Sequence, residues 1–246
     1  MKSSKTILTL DAGGTNFVFS AIQNEKEIVE PFTLPAQAHD LDLCLANLVK
    51  GFKHIAQQIK EQPDAISFAF PGPADYPKGI IGDLPNFKAF NGGVAMGPML
   101  EAEFGIPVFI NNDGDLFAYG EALSGMLPEV NAKLEAGGSP KRFKNLLGVT
   151  LGTGFGAGIV INQTLLNGDN SCGAGIHATL NPLHQDWNAE ESVSTRAIQR
   201  EYASEAGCAV NPELMPGDIY EIAQGTQEGN QQAARASFER FGTALG

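Results

Sequence analysis

Basic residues are scarce: 16 Lys and Arg stand against 28 Asp and Glu in 246 residues, a net charge of −12. So acidic a chain offers no field that would hold a polyanion, which sets aside nucleic acid and anionic membrane surfaces as partners. Cysteine is sparse as well. Cys44, Cys172 and Cys208 are far apart and form no C-x-x-C pair, which fits reduced, mostly buried thiols better than a disulfide framework. No run approaches the roughly 18 consecutive apolar residues of a membrane helix. The opening MKSSKTILTLD passes into a strand pattern without a small-residue cleavage site, so a cytoplasmic protein is expected. Low-complexity linkers are also missing. Apolar residues, by contrast, reach 43%, enough for a sizeable core divided into two lobes. Glycine is plentiful at 29 residues and gathers in loops, where backbone can approach a ligand closely.

Two of those loops share a design. Thr6 to Thr15 reads as a buried strand that ends in Asp11 and then Gly13, Gly14 and Thr15. Adjacent glycines let backbone N–H groups turn inward to form an anion site, and Thr15 adds a hydroxyl donor. Asp11 would repel bare phosphate but suits one that arrives with Mg²⁺, held through the metal's waters. From Leu146 the chain repeats the plan: a strand, then Gly152, Thr153, Gly154, Gly156 and Gly158, then a second strand. Two such units about half a chain apart point to a duplicated architecture with a nucleotide between the halves. The second loop fits the dinucleotide fingerprint loosely, yet a strand follows it where that fingerprint needs a helix N-terminus.

Between the loops the pattern predicts a hairpin strand from Ile28 to Leu34, a helix from Leu41 to Ile59 capped by Asp40, and a strand from Ala65 to Phe70. A Pro- and Gly-rich loop, PGPADYPKG, follows, then an irregular segment at Leu84, Pro85 and Asn86. A helix from Met99 to Phe104 leads into the strand Val108 to Ile110, which ends in Asn111, Asn112, Asp113, Gly114 and Asp115. Ligands of open α/β sheets bind beyond the carboxyl ends of strands, so Asn112 and Asp113 fall where chemistry is expected. Asp113 reads either as a helix-capping acid or as a base for phosphoryl transfer, and the phosphate loops favour the base. Asp115 reads as structural. Leu127 to Arg142 reads as a surface excursion. His177, His184 and Cys172 match no standard zinc spacing, so no structural zinc is expected. Glu190 and Glu191 read, on position alone, as first-turn acids of a helix.

Asp11-Ala-Gly-Gly-Thr15, the PGPAD loop from Pro71, Leu84-Pro-Asn86, Asn111-Asn-Asp113 and Gly152-Thr-Gly-Phe-Gly-Ala-Gly158 resemble, in order and spacing, the ROK family of bacterial sugar kinases and repressors. The resemblance covers roughly residues 6 to 200. It implies an α/β chain with the two-lobed, actin-like or ribonuclease-H-like ATPase fold of the hexokinase type, here a smaller lobe over 1–115 and a larger one over 116–246. It implies ATP with Mg²⁺ as phosphoryl donor and a hexose or N-acetylhexosamine as acceptor, usually at C6. Asp113 looks like the family's catalytic base, and Asn112, Gly72, Asn86 and Glu190 look like sugar contacts. The loops at Gly13 to Thr15 and Gly152 to Gly156 look like its phosphate holders, with Asp11 at the metal's waters. Relatives often pair, so a homodimer stays open.

The chain departs from the pattern where relatives carry Ala-Gly-Glu followed by Gly-His. Here the run is Gly173-Ala-Gly-Ile176-His177-Ala-Thr, with Ile176 in place of a sugar-binding glutamate, and the family's Cys-x-Cys-Gly zinc segment is absent. Relatives also continue past the position of Gly246 into a strand and a Gly-Gly loop at the adenosine, so the second lobe is read as C-terminally incomplete with a weak ATP site. The first expectation is an ATP-dependent sugar kinase, glucokinase-like. A non-catalytic sugar sensor or regulator on the same scaffold is the alternative, and an actin-like ATPase acting on a protein is the third. Family repressors carry a DNA-binding domain ahead of the first loop. Only ten residues precede Asp11, so direct DNA binding is not expected.

Overall fold

Thr6–Ala12 forms strand β1 and Asn16–Gln23 strand β2 in the computed structural model, which describes residues 4–13, 15–82, 88–169, 171–181 and 184–246. The two pair antiparallel, from Thr6 opposite Gln23 to Ala12 opposite Phe17. Leu8 and Leu10 from one strand, and Phe17 and Phe19 from the other, lose nearly all contact with water, the main force that holds the hairpin. The strand expected over Ile28 to Leu34 divides into β3, Lys26–Glu27, and β4, Phe32–Pro35. Both pair with the same edge of β2, but residues 28–31 stand opposite only Ser20 and Ala21, so the edge bulges.

Helix α1, Leu41–Ala56, starts where Asp40 accepts a hydrogen bond from the Leu43 amide at 3.1 Å. Cys44, Leu48, Phe52 and Ile55 recur at helical spacing and face the core, where Phe52 meets Phe19 edge-to-face at 5.1 Å. The helix stops at Ala56, short of Ile59. Strand β5, Ala65–Ala69, runs parallel to β1. A small hairpin of β6, Ala74–Asp75, and β7, Ile80–Ile81, follows. Helix α2, Met96–Phe104, ends at Gly105 in the left-handed region at φ 65°. Strand β8, Val108–Asn111, runs parallel to β5. The sheet order is β3-β2-β1-β5-β8, with β4 also on β2. Because β1, β5 and β8 are parallel and in register, they deliver Ala12, Ala69 and Asn111 to one end of the sheet.

Helix α3, Asp113–Leu123, leaves that end and packs on a second sheet, β11-β10-β9. Its strands are β9, Asn145–Leu151; β10, Phe155–Ile161; and β11, Thr164–Leu165. Between α3 and β9 lies helix α4, Met126–Ala136, over most of the segment expected as a surface excursion. Pro128 falls in its first turn, where a missing N–H forfeits no helical bond, and Glu129 pairs with Lys133 one turn on at 2.6 Å. Gly137 and Gly138 are loop signals that mark its end. Helices α5, Thr195–Ala206, α6, Pro216–Gln224, and α7, Gln231–Leu245, close around Ile198, Tyr202, Ile219 and Ile222. Among the described residues no helix is long and apolar enough to cross a membrane.

Candidate active site

Beyond the ends of β5 and β8 opens a cleft of about 680 Å³ whose lining includes Gly72, Asn112, Asp113, residues 152–156 and Glu190. One group comes from the first turn of α3. Asn112, in extended conformation, accepts from the Gly114 amide at 2.9 Å and the Asp115 amide at 3.4 Å, so Asn112 is the helix cap. Asp113 stands exposed at the first helical position in the cleft, where its Oδ1 also accepts from the Gly114 amide at 2.9 Å. Asp115 also lines the cleft but is only 3% exposed; burial above all, then the charge of Asp113, pushes its carboxyl up to about 6.

The other amide atom of Asn112, Nδ2, reaches the Tyr76 hydroxyl at 3.5 Å, and that hydroxyl donates to the Phe70 carbonyl at 2.8 Å. Burial pushes Tyr76 up to about 12 against the opposing hydrogen bond from Asn112, so the phenol keeps its proton. Gly72 fits beneath it: a Cβ there would lie 2.9 Å from the Tyr76 oxygen. The Pro71 loop, the cap residue and the catalytic candidate are thus tied together.

The opposite wall is the turn between β9 and β10. Its Gly152 amide donates to the Gly154 carbonyl at 3.1 Å, and no side chain projects from Gly152, Gly154 or Gly156 into the lining, which is the bare backbone surface a phosphate needs. Glu190, in a short 3₁₀ turn capped by Asn188, accepts from the Phe155 amide at 2.9 Å and from Arg196 at 2.8 Å. Burial raises its pKa, but the hydrogen bonds from Arg196 and Phe155, with the charges of Arg196 and His177, outweigh that and hold the carboxyl below its ordinary value. Glu190 is an anion with acceptor capacity to spare.

Asp11, Gly13 and Thr15 lie at the β1–β2 turn, on the same sheet end as Gly72 and Asp113 but outside this lining. Gly14, Asn86 and the Leu84-Pro-Asn86 segment lie outside the described residues. His177 and Cys172, given no binding role by spacing, do line the cleft, whereas His184 packs on Trp187 at 4.1 Å. Ile176 is not in the lining, although its neighbours Gly175 and His177 are. Arg196 is a further residue that the sequence did not single out; only its place beside two glutamates marks it. Among the described residues no three His, Cys, Asp or Glu side chains converge as a metal group.

The chain is 30% identical over 188 residues to a glucokinase of Halalkalibacterium halodurans, covering 73% of this chain and 52% of that protein. With an N-acetyl-D-glucosamine kinase of Aliivibrio salmonicida it shares 28% over 160 residues, 64% of this chain and 47% of the relative. The chain therefore spans about half the length of the curated relatives it matches. The crystal structure of a glucokinase from Parabacteroides distasonis superposes with a TM-score of 0.89 at 59% identity, covering 99% of this chain and 69% of that one. The fold is the actin-like ATPase fold. The ROK family model matches residues 7–246, and the chain belongs to the ROK family.

Proposed function

We propose that the protein is an ATP-dependent sugar kinase that transfers the γ-phosphoryl group to a hexose or N-acetylhexosamine hydroxyl, at C6 by family likeness. The observation that carries this reading is the first turn of α3: Asn112 takes the Gly114 and Asp115 amides, and the Asp113 carboxylate, one oxygen of which shares the Gly114 amide, stands exposed in the cleft with the glycine turn of 152–156 and Glu190 in the same lining. Asp113 accepts the proton of the attacking hydroxyl. The sugar oxygen forms a new bond to the γ-phosphorus, the bond from that phosphorus to the β,γ-bridging oxygen breaks, and ADP leaves with the electron pair. Backbone N–H groups of the glycine turns face the developing charge, and Glu190, Asn112 and Gly72 read the sugar. Asp11 fits a hard cation held through water: it is an exposed carboxylate, and among the described residues no hydrogen bond engages it. Mg²⁺ held there would supply charge neutralisation for the transferred phosphoryl group. We place the lobes at 1–115 and 116–246 and the protein in the cytoplasm, where ATP is available.

Ile176 and the second lobe, read as C-terminally incomplete, motivate the sensor reading, against which the retained Asp113 argues. The test is ADP release from ATP and Mg²⁺ with a panel of hexoses and N-acetylhexosamines, using the full-length protein that carries this sequence. Turnover with one sugar is expected, and Asp113→Asn should lower kcat by about 10²–10⁴-fold with sugar binding retained. A variant as active as the parent overturns the assignment of the base. Silence across the panel, with calorimetric sugar binding, favours the sensor.

A further inference from the structure

Arg196 lies in the first turn of α5, outside the cleft lining, and proton transfer to Asp113 gives it no task. Its guanidinium nonetheless reaches three parts of the site. Nη1 donates to the Thr153 carbonyl at 3.0 Å, Nη2 to Glu190 Oε1 at 2.8 Å, and Nε and Nη2 to Glu191 Oε1 at 3.0 and 2.6 Å. Beside it, the Thr195 amide donates to the Gly152 carbonyl at 2.8 Å. Both leading carbonyls of the glycine turn are thus held by the start of α5, while the Phe155 amide at the far side of the turn is held by Glu190 at 2.9 Å. Contact between carboxylate and turn is direct: a Cβ on Gly154 would stand 2.7 Å from Glu190 Oε2.

We propose that Arg196 is a positioning residue that locks the sugar-reading carboxylate of Glu190 and the glycine turn of 152–156 into one rigid unit. The proposal rests on the kinase reading for its consequence, a set spacing between sugar and phosphate, but the lock itself is defined by the contacts alone. A carboxylate offers about four lone-pair sites. Phe155 and Arg196 take one on each oxygen of Glu190, which fixes the plane of the group and leaves acceptors for sugar hydroxyls. Glu191 occupies the remaining edge of the guanidinium and keeps Arg196 from swinging away. Arg200 secures Glu191 in turn, bonding its carbonyl and lying 4.3 Å over the Trp187 ring. The guanidinium spreads its donors over three nitrogens in one plane and so spans these acceptors; a lysine ammonium has three donors on a single nitrogen and cannot reach across them all. A set of ordinary surface ion pairs, by contrast, would contribute little and would touch stability alone.

The test compares Arg196→Met, Arg196→Lys and Arg240→Met in the full-length protein. The last breaks pairs from α7 to Glu201 and Glu205 on the same helix and leaves the site alone. Hydrogen exchange of the 152–156 amides is read without ligand, and sugar KM and kcat are read separately. Arg196→Met should speed exchange in the turn and raise sugar KM by about 10- to 100-fold, the worth of one or two charge-assisted hydrogen bonds. Arg196→Lys should recover part of both, and Arg240→Met should change neither. Turn exchange and sugar KM in Arg196→Met that match the Arg240→Met control overturn the proposal. If the parent protein phosphorylates no sugar, the kinase reading falls and the exchange measurement alone decides the lock.

Discussion

Asp113 and Asp115 stand two residues apart in one helical turn and meet opposite surroundings. Asp113 is exposed, whereas Asp115 is 3% exposed and has its carboxyl pushed up to about 6, by burial first and by Asp113 second. A carboxyl whose pKa is higher in the folded state binds its proton more tightly there. Its contribution to stability is therefore present below the ordinary value of 3.8 and is lost as pH rises through about 6. Asp115→Asn removes that cost, so at pH 7.5 the variant should be more stable than the parent by on the order of 2 kcal/mol. The difference should shrink toward zero near pH 4. Urea unfolding at the two pH values checks it, and a gap that widens in acid would show that the carboxyl is stabilised as an anion instead.

At the scale of elements, the site depends on how closely α3 lies on β9 and β10. A Cβ on Gly114 would come within 2.8 Å of the Ala157 amide nitrogen, and one on Gly158 within 2.7 Å of Ala118. Backbone on one side and a packed strand on the other leave no room to yield. Gly114→Ala is expected to cost about 1–3 kcal/mol of stability as α3 is pushed off the sheet. It should also lower kcat in protein that is still fully folded, because Asn112 and Asp113 ride on that turn. Urea midpoints and single-turnover rates measured together settle this. Wild-type values for both would mean that the helix has slack the contacts do not show. Gly154→Ala acts on the opposite wall, through Glu190, by the same logic.

Over the whole molecule, the acceptor sugar should bind the folded chain and not the unfolded one, so it raises the melting temperature by mass action. At a hundredfold excess over its dissociation constant the gain is about 2.7 kcal/mol, and for a chain of this size each kcal/mol moves the midpoint by roughly 2–4 °C. A thermal scan with glucose, N-acetylglucosamine and their epimers therefore ranks the candidate substrates without relying on turnover. A uniform zero shift across the set would mean that the cleft does not receive a sugar. The net charge of −12 bears on partners at this scale, since it disfavours polyanions.

Much of this was legible in the residues because it is local. Strand alternation marked β1 and β10, Asp40 marked the start of α1, Gly105 the end of α2, and the glycine clusters marked both hairpin turns, since capping and left-handed turns are chemistry within a few residues. The motif order likewise pointed to the family and its fold before any coordinate was known. Helix α4 was missed because its signals are weak and Pro128 and the terminal glycines resemble loop. In sequence Asp113 reads either as a capping acid or as a base; in the fold Asn112 takes the Gly114 and Asp115 amides, and Asp113 shares the Gly114 amide while standing exposed in the cleft. Glu190 meets the Phe155 amide across 35 residues, and Arg196 meets Thr153 across 43. No local pattern encodes those meetings. They exist because α5 and the 3₁₀ turn before it are packed against the β9–β10 turn, and only the tertiary structure decides that.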